Sequence, residues 1–171
     1  SLMRSFPNML IASPGDVMEL RSCMDYLTKH PQPSYLRLEK SSIYQIHKKK
    51  PKLSPGKWIK VWESSKKSKR KSIYLSTGAV IEFIEKKIKD KKYQPRSLYS
   101  LPLWGMKYKN NQERNIKKFY TIDVVEDHLN DGGFQSWLKE CIYISKLCSK
   151  SLNKKVISQV GSKDYLMNFL K

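Results

Sequence analysis

The segment GKWIKVWESSKKSKRKSIYLS, residues 56–76, sets two tryptophans beside a run of lysines. Aromatic rings stack on nucleobases at about 1 to 3 kcal/mol per base, and basic side chains follow the phosphate backbone. The alternation of an extended strand puts Trp58, Lys60 and Trp62 on one face and the aliphatic residues between them on the other. These residue types at this spacing predict a surface that binds a nucleotide or a single nucleic-acid strand.

The chemistry of each side chain suggests its contact on this surface. Tyr74 adds a phenol ring from the following strand, and Glu63 is an acceptor for the edge of a guanine. Phosphate or RNA contacts are expected from six basic residues: Lys60, Lys66, Lys67, Lys69, Arg70 and Lys71. A second interpretation stays open, in which the two tryptophans lie beneath a layer of helices and the lysines form a solvated turn.

The overall charge agrees with a polyanionic partner. The 171 residues include 34 Lys and Arg against 15 Asp and Glu, a formal charge of +19, and such a surface attracts nucleic acid. No apolar run reaches the roughly 18 to 20 residues that span a bilayer, so no membrane partner is expected. The odd number of widely spaced cysteines indicates a reducing compartment, and a cytoplasmic location is expected. We expect residues 1–171 to form one basic domain excised from a larger protein.

Catalytic and metal-binding patterns are sparse in the sequence. The three cysteines and three histidines have neither zinc-ligand nor nucleophile spacing, which predicts no cofactor and no catalytic residue in this domain. One acidic segment contains Asp123, Glu126, Asp127, His128 and Asp131. Asp123, Asp127 and Asp131 would share a face of a predicted helix and suit a hard cation. The favoured interpretation is an acidic helix face, with a metal-dependent nuclease as a distant alternative.

Hydrophobic periodicity predicts an α+β domain in which an antiparallel sheet packs against several helices. Period-two and β-branched patterns predict strands over residues 8–12, 34–45, 57–63, 72–77, 101–108 and 156–160. Helical spacing predicts helices over residues 13–30, 79–90, 113–129 and 134–148, and a short last helix capped by Ser162.

Two stretches, GKWIKVWE with the basic turn after it and SIYLSTGAVIEFIE, resemble the cap-binding or cap-binding-like domain of arenavirus and bunyavirus L proteins. The resemblance implies a methylated guanine held between two rings beside a carboxylate, and it adds Trp104 to the candidate rings. It also implies a non-catalytic module of a viral RNA-directed RNA polymerase that supports cap snatching in transcription. The expected partners are then capped RNA and the other domains of the polymerase.

Two further interpretations stay open. A generic single-stranded RNA-binding module would show affinity that falls steeply with salt and ignores base methylation. The segment NMLIASPGDVMELR, residues 8–21, is similar to the opening strand, loop and helix of TIR-like domains. That similarity ranks lower, because the residues after it predict sheet before helix rather than alternating strands and helices.

Overall fold

A computed structural model describes residues 1–39, 44–65, 70–141 and 147–170. The strands in these ranges are β1 Leu10–Ala12, β2 Ser34–Leu36, β3 Ile59–Trp62, β4 Ser72–Ser76, β5 Ser97–Ser100, β6 Leu103–Trp104, β7 Thr121–Leu129 and β8 Leu147–Leu152. The helices are α1 Val17–Lys29, α2 Val80–Lys89, α3 Gln112–Ile116, α4 Phe134–Lys139 and α5 Lys163–Met167. Short 3-10 turns span Leu2–Ser5, Met106–Tyr108 and Lys154–Ser158. The predicted α+β class is confirmed.

The larger sheet has five strands in the order β3-β5-β4-β7-β8. Only β3 runs antiparallel to its neighbour, whereas β5, β4, β7 and β8 are parallel to one another. The expected antiparallel sheet is therefore wrong, and β3 and β4 are not paired because β5 lies between them. The physical reason is α2, which carries the chain from the end of β4 back to the end of the sheet where β4 began. Strand β5 therefore begins at that end and runs parallel to β4.

A smaller sheet of three strands, in the order β2-β1-β6, lies at the start of the chain. Strand β1 pairs parallel with β2 through α1 and antiparallel with β6. Helix α1 begins at Asp16 rather than at the predicted cap Ser13, because the Asp16 carboxylate accepts the Glu19 N–H at 2.8 Å. The last helix is confirmed with its cap, since Ser162 accepts the N–H of Tyr165.

Apolar side chains cover both faces of the large sheet. Alternation along β4 sends Ile73 and Leu75 into one cluster with Trp137, and Tyr74 into another with Ile81 of α2. We call these the first and second clusters. The predicted amphipathic helix after residue 79 is confirmed, because the buried residues of α2 are the ones that helical spacing places on one side. No helix in the described ranges is both long and apolar enough to cross a membrane.

The predicted helix over residues 113–129 is correct only as far as Ile116 and wrong beyond it. Helix α3 ends at Ile116, and residues 121–129 form β7, whose central residues are buried on both faces. A strand in a covered parallel sheet loses its period-two pattern, which is why the sequence did not reveal it. Asp123 and Asp127 consequently share no helix face with Asp131, and the described residues contain no group of three or more metal-ligating side chains placed to hold a metal.

Two predictions near the end of the chain also need correction. The predicted helix over residues 134–148 ends at Lys139, and β8 begins at Leu147, while residues 142–146 lie outside the described ranges. The predicted strand over residues 156–160 overlaps a 3-10 turn instead. In the predicted strand over residues 34–45, only Ser34–Leu36 is a strand, and residues 40–43 lie outside the described ranges.

Candidate ligand-binding crevice

The parallel part of the large sheet has a topological switch point between β4 and β7. From β4 the chain continues through α2 to β5 on one side, and from β7 it continues through α4 to β8 on the other. In open α/β sheets, ligands bind outside the carboxyl ends of strands at such a point. A cavity of about 320 Å³ opens there, and we call it the crevice.

Residues from several distant segments line the crevice. They come from the first turn of the chain, the ends of β1, β2, β4 and β7, strand β6 and the start of α4: Ser1, Leu2, Met3, Arg4, Ile11, Ser13, Tyr35, Arg37, Thr77, Trp104, Glu126, Asp127, His128, Gly133 and Phe134. Because these elements meet only in the folded chain, no local pattern in the sequence marks the whole site, although the acidic segment over residues 123–131 supplies three of its residues.

Glu126 is the most unusual side chain in the crevice. It is 2% exposed, and its Oε2 accepts the backbone N–H of Phe134 at 2.7 Å. Its Oε1 is buried and has no hydrogen-bond partner among the described residues. Burial raises the pKa of Glu126 to about 7, although backbone N–H groups of Phe134 and Gln135 oppose the shift. Near neutral pH this carboxyl is therefore able to donate or accept a hydrogen bond in the crevice.

Glycine allows Glu126 to approach the backbone. A Cβ atom at Gly133 would lie 2.2 Å from Oε2 of Glu126, far inside van der Waals contact. The contact with Glu126 explains why glycine stands at position 133.

Positive charge enters the crevice on Arg37. Its guanidinium forms two parallel hydrogen bonds with the carboxylate of Asp127, each of 2.8 Å. This fork fixes the guanidinium and uses two of its five N–H donors. Arg4 is held in a similar way, since it donates to the carbonyl of Gly132 and to Glu140, each at 2.8 Å.

Trp104 forms a wall of the crevice rather than an exposed stacking surface. The ring is 6% exposed and packs against Phe134 and Trp137. Its Nε1–H donates to Oγ1 of Thr77 at 3.1 Å. Ser13 also lines the crevice, and its Oγ atom is buried without a hydrogen-bond partner in the described part of the chain.

The other three candidate rings lie elsewhere and on different faces of the sheet. Trp58 packs against the first cluster, where it stacks on Phe119 at 6.0 Å and donates to Gln112 at 2.7 Å. Trp62 and Tyr74 belong to the second cluster. No ring contact among the described residues joins two of the four candidates, so the expected aromatic sandwich is absent from this part of the chain.

Glu63, Arg70 and Lys71, from the candidate acid and basic residues, lie at the opposite end of the sheet. Glu63 is exposed and accepts from Lys60 at 2.8 Å. Arg70 lies 4.9 Å over the ring of Tyr120, and Lys71 is exposed. Lys66, Lys67 and Lys69 lie outside the described residues. An anion-binding role for these basic residues stays a prediction.

Sequence reasoning missed a buried polar cluster beside α1. Asp16 accepts from the backbone N–H groups of Ile46 and His47 and lies 3.0 Å from Nδ1 of the His47 ring. Burial alone would raise the pKa of Asp16, but these hydrogen bonds lower it to about 2. Glu19 is fully buried and accepts from Gly15 and Ser100. Burial raises its pKa. The one available signal in the sequence was the spacing of Asp16, the helix cap, and Glu19, the carboxylate three residues after it.

Comparison with known proteins finds likeness in structure only. No protein-family model and no curated protein matches the sequence. Solved structures of transketolases share the fold over 90% of this chain: a split-gene transketolase described as an inactive β4 tetramer (18% identity, TM-score 0.72), the transketolase of Campylobacter jejuni (16%, 0.60) and a transketolase variant from Pichia stipitis in complex with fructose-6-phosphate (18%, 0.58). The chain spans 51%, 23% and 22% of those chains.

These findings overturn the expected viral identity. The resemblance to an L-protein cap-binding domain rested on a strand, a basic turn and a helix, whereas the fold of the chain is similar to that of transketolase structures. The expected polymerase parent and the role in cap snatching are therefore wrong. The expected antiparallel sheet, on which the resemblance also drew, is replaced by a mostly parallel one in which β5 lies between β3 and β4.

Proposed function

We propose that this chain is a non-catalytic module of a transketolase-like protein and that its crevice binds a small hydroxylated anion of the sugar-phosphate class. The observation that carries the proposal is Glu126, which lines the cavity at the switch point of the sheet and whose buried Oε1 has no partner among the described residues. A buried carboxyl without a partner costs free energy of folding that a ligand hydroxyl offsets.

The chemistry of the walls suits the two ends of such a ligand. Glu126 and Ser13 offer polar atoms to hydroxyl groups. Arg37, which Asp127 holds in a fixed orientation, offers its remaining N–H groups to a phosphate. The ring of Trp104 gives an apolar wall for the C–H face of a sugar. A cavity of about 320 Å³ lies at the lower end of the range for small-molecule sites, about 300 to 1,000 Å³.

The structural neighbours support a non-catalytic role for the chain alone. The neighbour of which this chain spans 51% is described as an inactive tetramer. Another neighbour is described in complex with fructose-6-phosphate, which supports the sugar-phosphate class of ligand. Transketolase activity then belongs to a larger assembly of which this chain supplies one part. We expect the isolated chain to show no transketolase turnover.

Calorimetric titration of the chain with fructose-6-phosphate, fructose and inorganic phosphate tests the crevice. Fructose-6-phosphate is expected to bind more tightly than either fragment, because only the whole ligand reaches both Glu126 and Arg37. Glu126→Gln keeps the shape of the side chain and is expected to weaken binding about tenfold, the loss of one buried charged or polar contact.

Two variants provide the controls. Arg37→Gln is expected to weaken the binding of fructose-6-phosphate and to leave the binding of fructose unchanged. Arg21→Gln makes an equal charge change at an exposed position of α1 and is expected to leave the binding of both ligands unchanged. Equal responses to all three ligands, or equal losses in Arg37→Gln and Arg21→Gln, would contradict the ligand assignment. Turnover of sugar phosphates by the isolated chain would contradict the non-catalytic role.

A further inference from the structure

A second and larger depression lies at the opposite end of the five-stranded sheet. It forms where β4 and β5 begin and where the antiparallel β3 ends, and its volume is about 1040 Å³. We call it the trough. Small ligands bind at the carboxyl ends of parallel strands, which is the other end of this sheet. The volume also lies at the upper limit for a small-molecule site, so a segment of a macromolecule is the better fit.

Four cations converge on the trough: Arg70, Lys71, Arg96 and Lys118. Glu63 is the one acidic residue among the described residues that line it. The two guanidinium groups are held in place, since Arg96 donates to Asp123 at 3.0 Å and Arg70 lies over the ring of Tyr120. Positioned cations lose little conformational entropy when an anionic partner binds.

The apolar part of the trough distinguishes between polyanions. Pro95, Tyr99 and Phe119 line the trough together with the cations, and we call these three residues its apolar floor. A polynucleotide would stack its bases on open ring faces, but one face of Phe119 is already covered by Trp58, whose ring lies nearly parallel to it at an angle of 4°. The edge of Tyr99 also contacts Phe119. A polypeptide with apolar side chains between its acidic residues would pack against this floor without needing a free ring face.

We propose that the trough docks an acidic polypeptide segment of a partner subunit, with apolar residues among its Asp and Glu residues. The net charge of +19 disfavours association of the chain with its own copies and accelerates its encounter with an acidic surface. The docking function is independent of the crevice ligand, because the two sites lie at opposite ends of the sheet.

Fluorescence anisotropy with labelled 12-residue probes tests the trough in 150 mM KCl. The probes are a Glu peptide with Leu and Phe at alternating positions, an all-Glu peptide, and a 12-nucleotide single-stranded RNA. The mixed peptide is expected to bind at least about tenfold more tightly than the all-Glu peptide and the RNA, because it alone uses both the cations and the apolar floor.

A matched pair of double variants locates the binding. Lys71→Glu with Lys118→Glu reverses two trough charges, and Lys52→Glu with Lys57→Glu makes the same charge change at exposed lysines outside the trough. The Lys71→Glu, Lys118→Glu variant is expected to weaken the binding of the mixed peptide at least about tenfold more than the Lys52→Glu, Lys57→Glu control does. Equal losses in both variants would reduce the effect to net charge and overturn the proposal, as would tighter binding of the RNA.

Discussion

Trp58 and Trp62 lie four positions apart in one ribbon, yet their rings pack in different clusters on the two faces of the five-stranded sheet. Strand β3 changes register against β5 between Lys60 and Trp62. An irregularity of this kind adds a residue to one strand and reverses the alternation beyond it. A regular strand would have put both indoles on one face, where they would have supported the predicted aromatic surface.

This relationship predicts which aromatic residues are energetically coupled. Trp58→Ala is expected to lower the free energy of unfolding by about 2 to 3 kcal/mol, because it removes a partly buried ring and the partner of Gln112. Its effect should not add to that of Phe119→Ala, since the two rings stack. Its effect should add to that of Trp62→Ala. Urea unfolding of the single and double variants measures both couplings, and a coupling between the two tryptophans would contradict the structure.

Gly133→Ala tests how the crevice holds its buried acid. The new Cβ would lie 2.2 Å from Oε2 of Glu126, so the carboxylate must leave the N–H of Phe134. The expected cost is about 2 to 3 kcal/mol of unfolding free energy, together with loss of fructose-6-phosphate binding in the calorimetric titration. Gly161→Ala is the control, since the group it would crowd is the partly exposed ring of Tyr165, which is able to move. Normal binding by Gly133→Ala would count against the crevice.

The pH dependence of stability provides a separate test of Glu126. Burial raises its pKa from 4.5 to about 7, so the folded chain holds this proton more tightly than the unfolded chain. Its contribution to stability is therefore full below pH 4.5 and declines as the pH rises to about 7, by up to about 3 kcal/mol. Glu126→Gln removes this decline. Urea unfolding from pH 4.5 to 8.5 should show the variant gaining stability relative to the parent chain as pH rises, and parallel curves would refute the assignment.

Asp16 has the opposite pH behaviour. Its pKa falls from 3.8 to about 2 in the folded chain, so its contribution to stability is present above pH 3.8 and is lost as the pH falls to about 2. Asp16→Ala is expected to cost about 2 to 4 kcal/mol at neutral pH, since a helix cap and the bonds to residues 46 and 47 disappear. The amides of Ile46 and His47 should then exchange hydrogen faster. Asp25 is exposed on the same helix, and Asp25→Ala is expected to change neither the free energy of unfolding nor the exchange of these amides.

Several elements followed from local sequence alone. The amphipathic spacing of VIEFIEKKIK predicted α2, and Ser162 predicted the start of the last helix, because both depend on residues within a turn or two of each other. Strand β7 did not follow, since TIDVVEDHL is covered on both faces and carries no period-two pattern. The prediction of antiparallel strands was also wrong, because the sequence of a short extended segment does not specify which strand it pairs with or in which direction.

The sequence by itself determined the composition of the surface, the α+β class and the positions of the most regular elements, because charge, periodicity and caps are local properties. Only the tertiary structure decided which side chains meet. The pKa of Glu126 and the anchoring of Arg37 by Asp127 depend on segments far apart in the chain. Burial and hydrogen bonding are properties of neighbours in space, and those neighbours are assigned only when the parallel strands align.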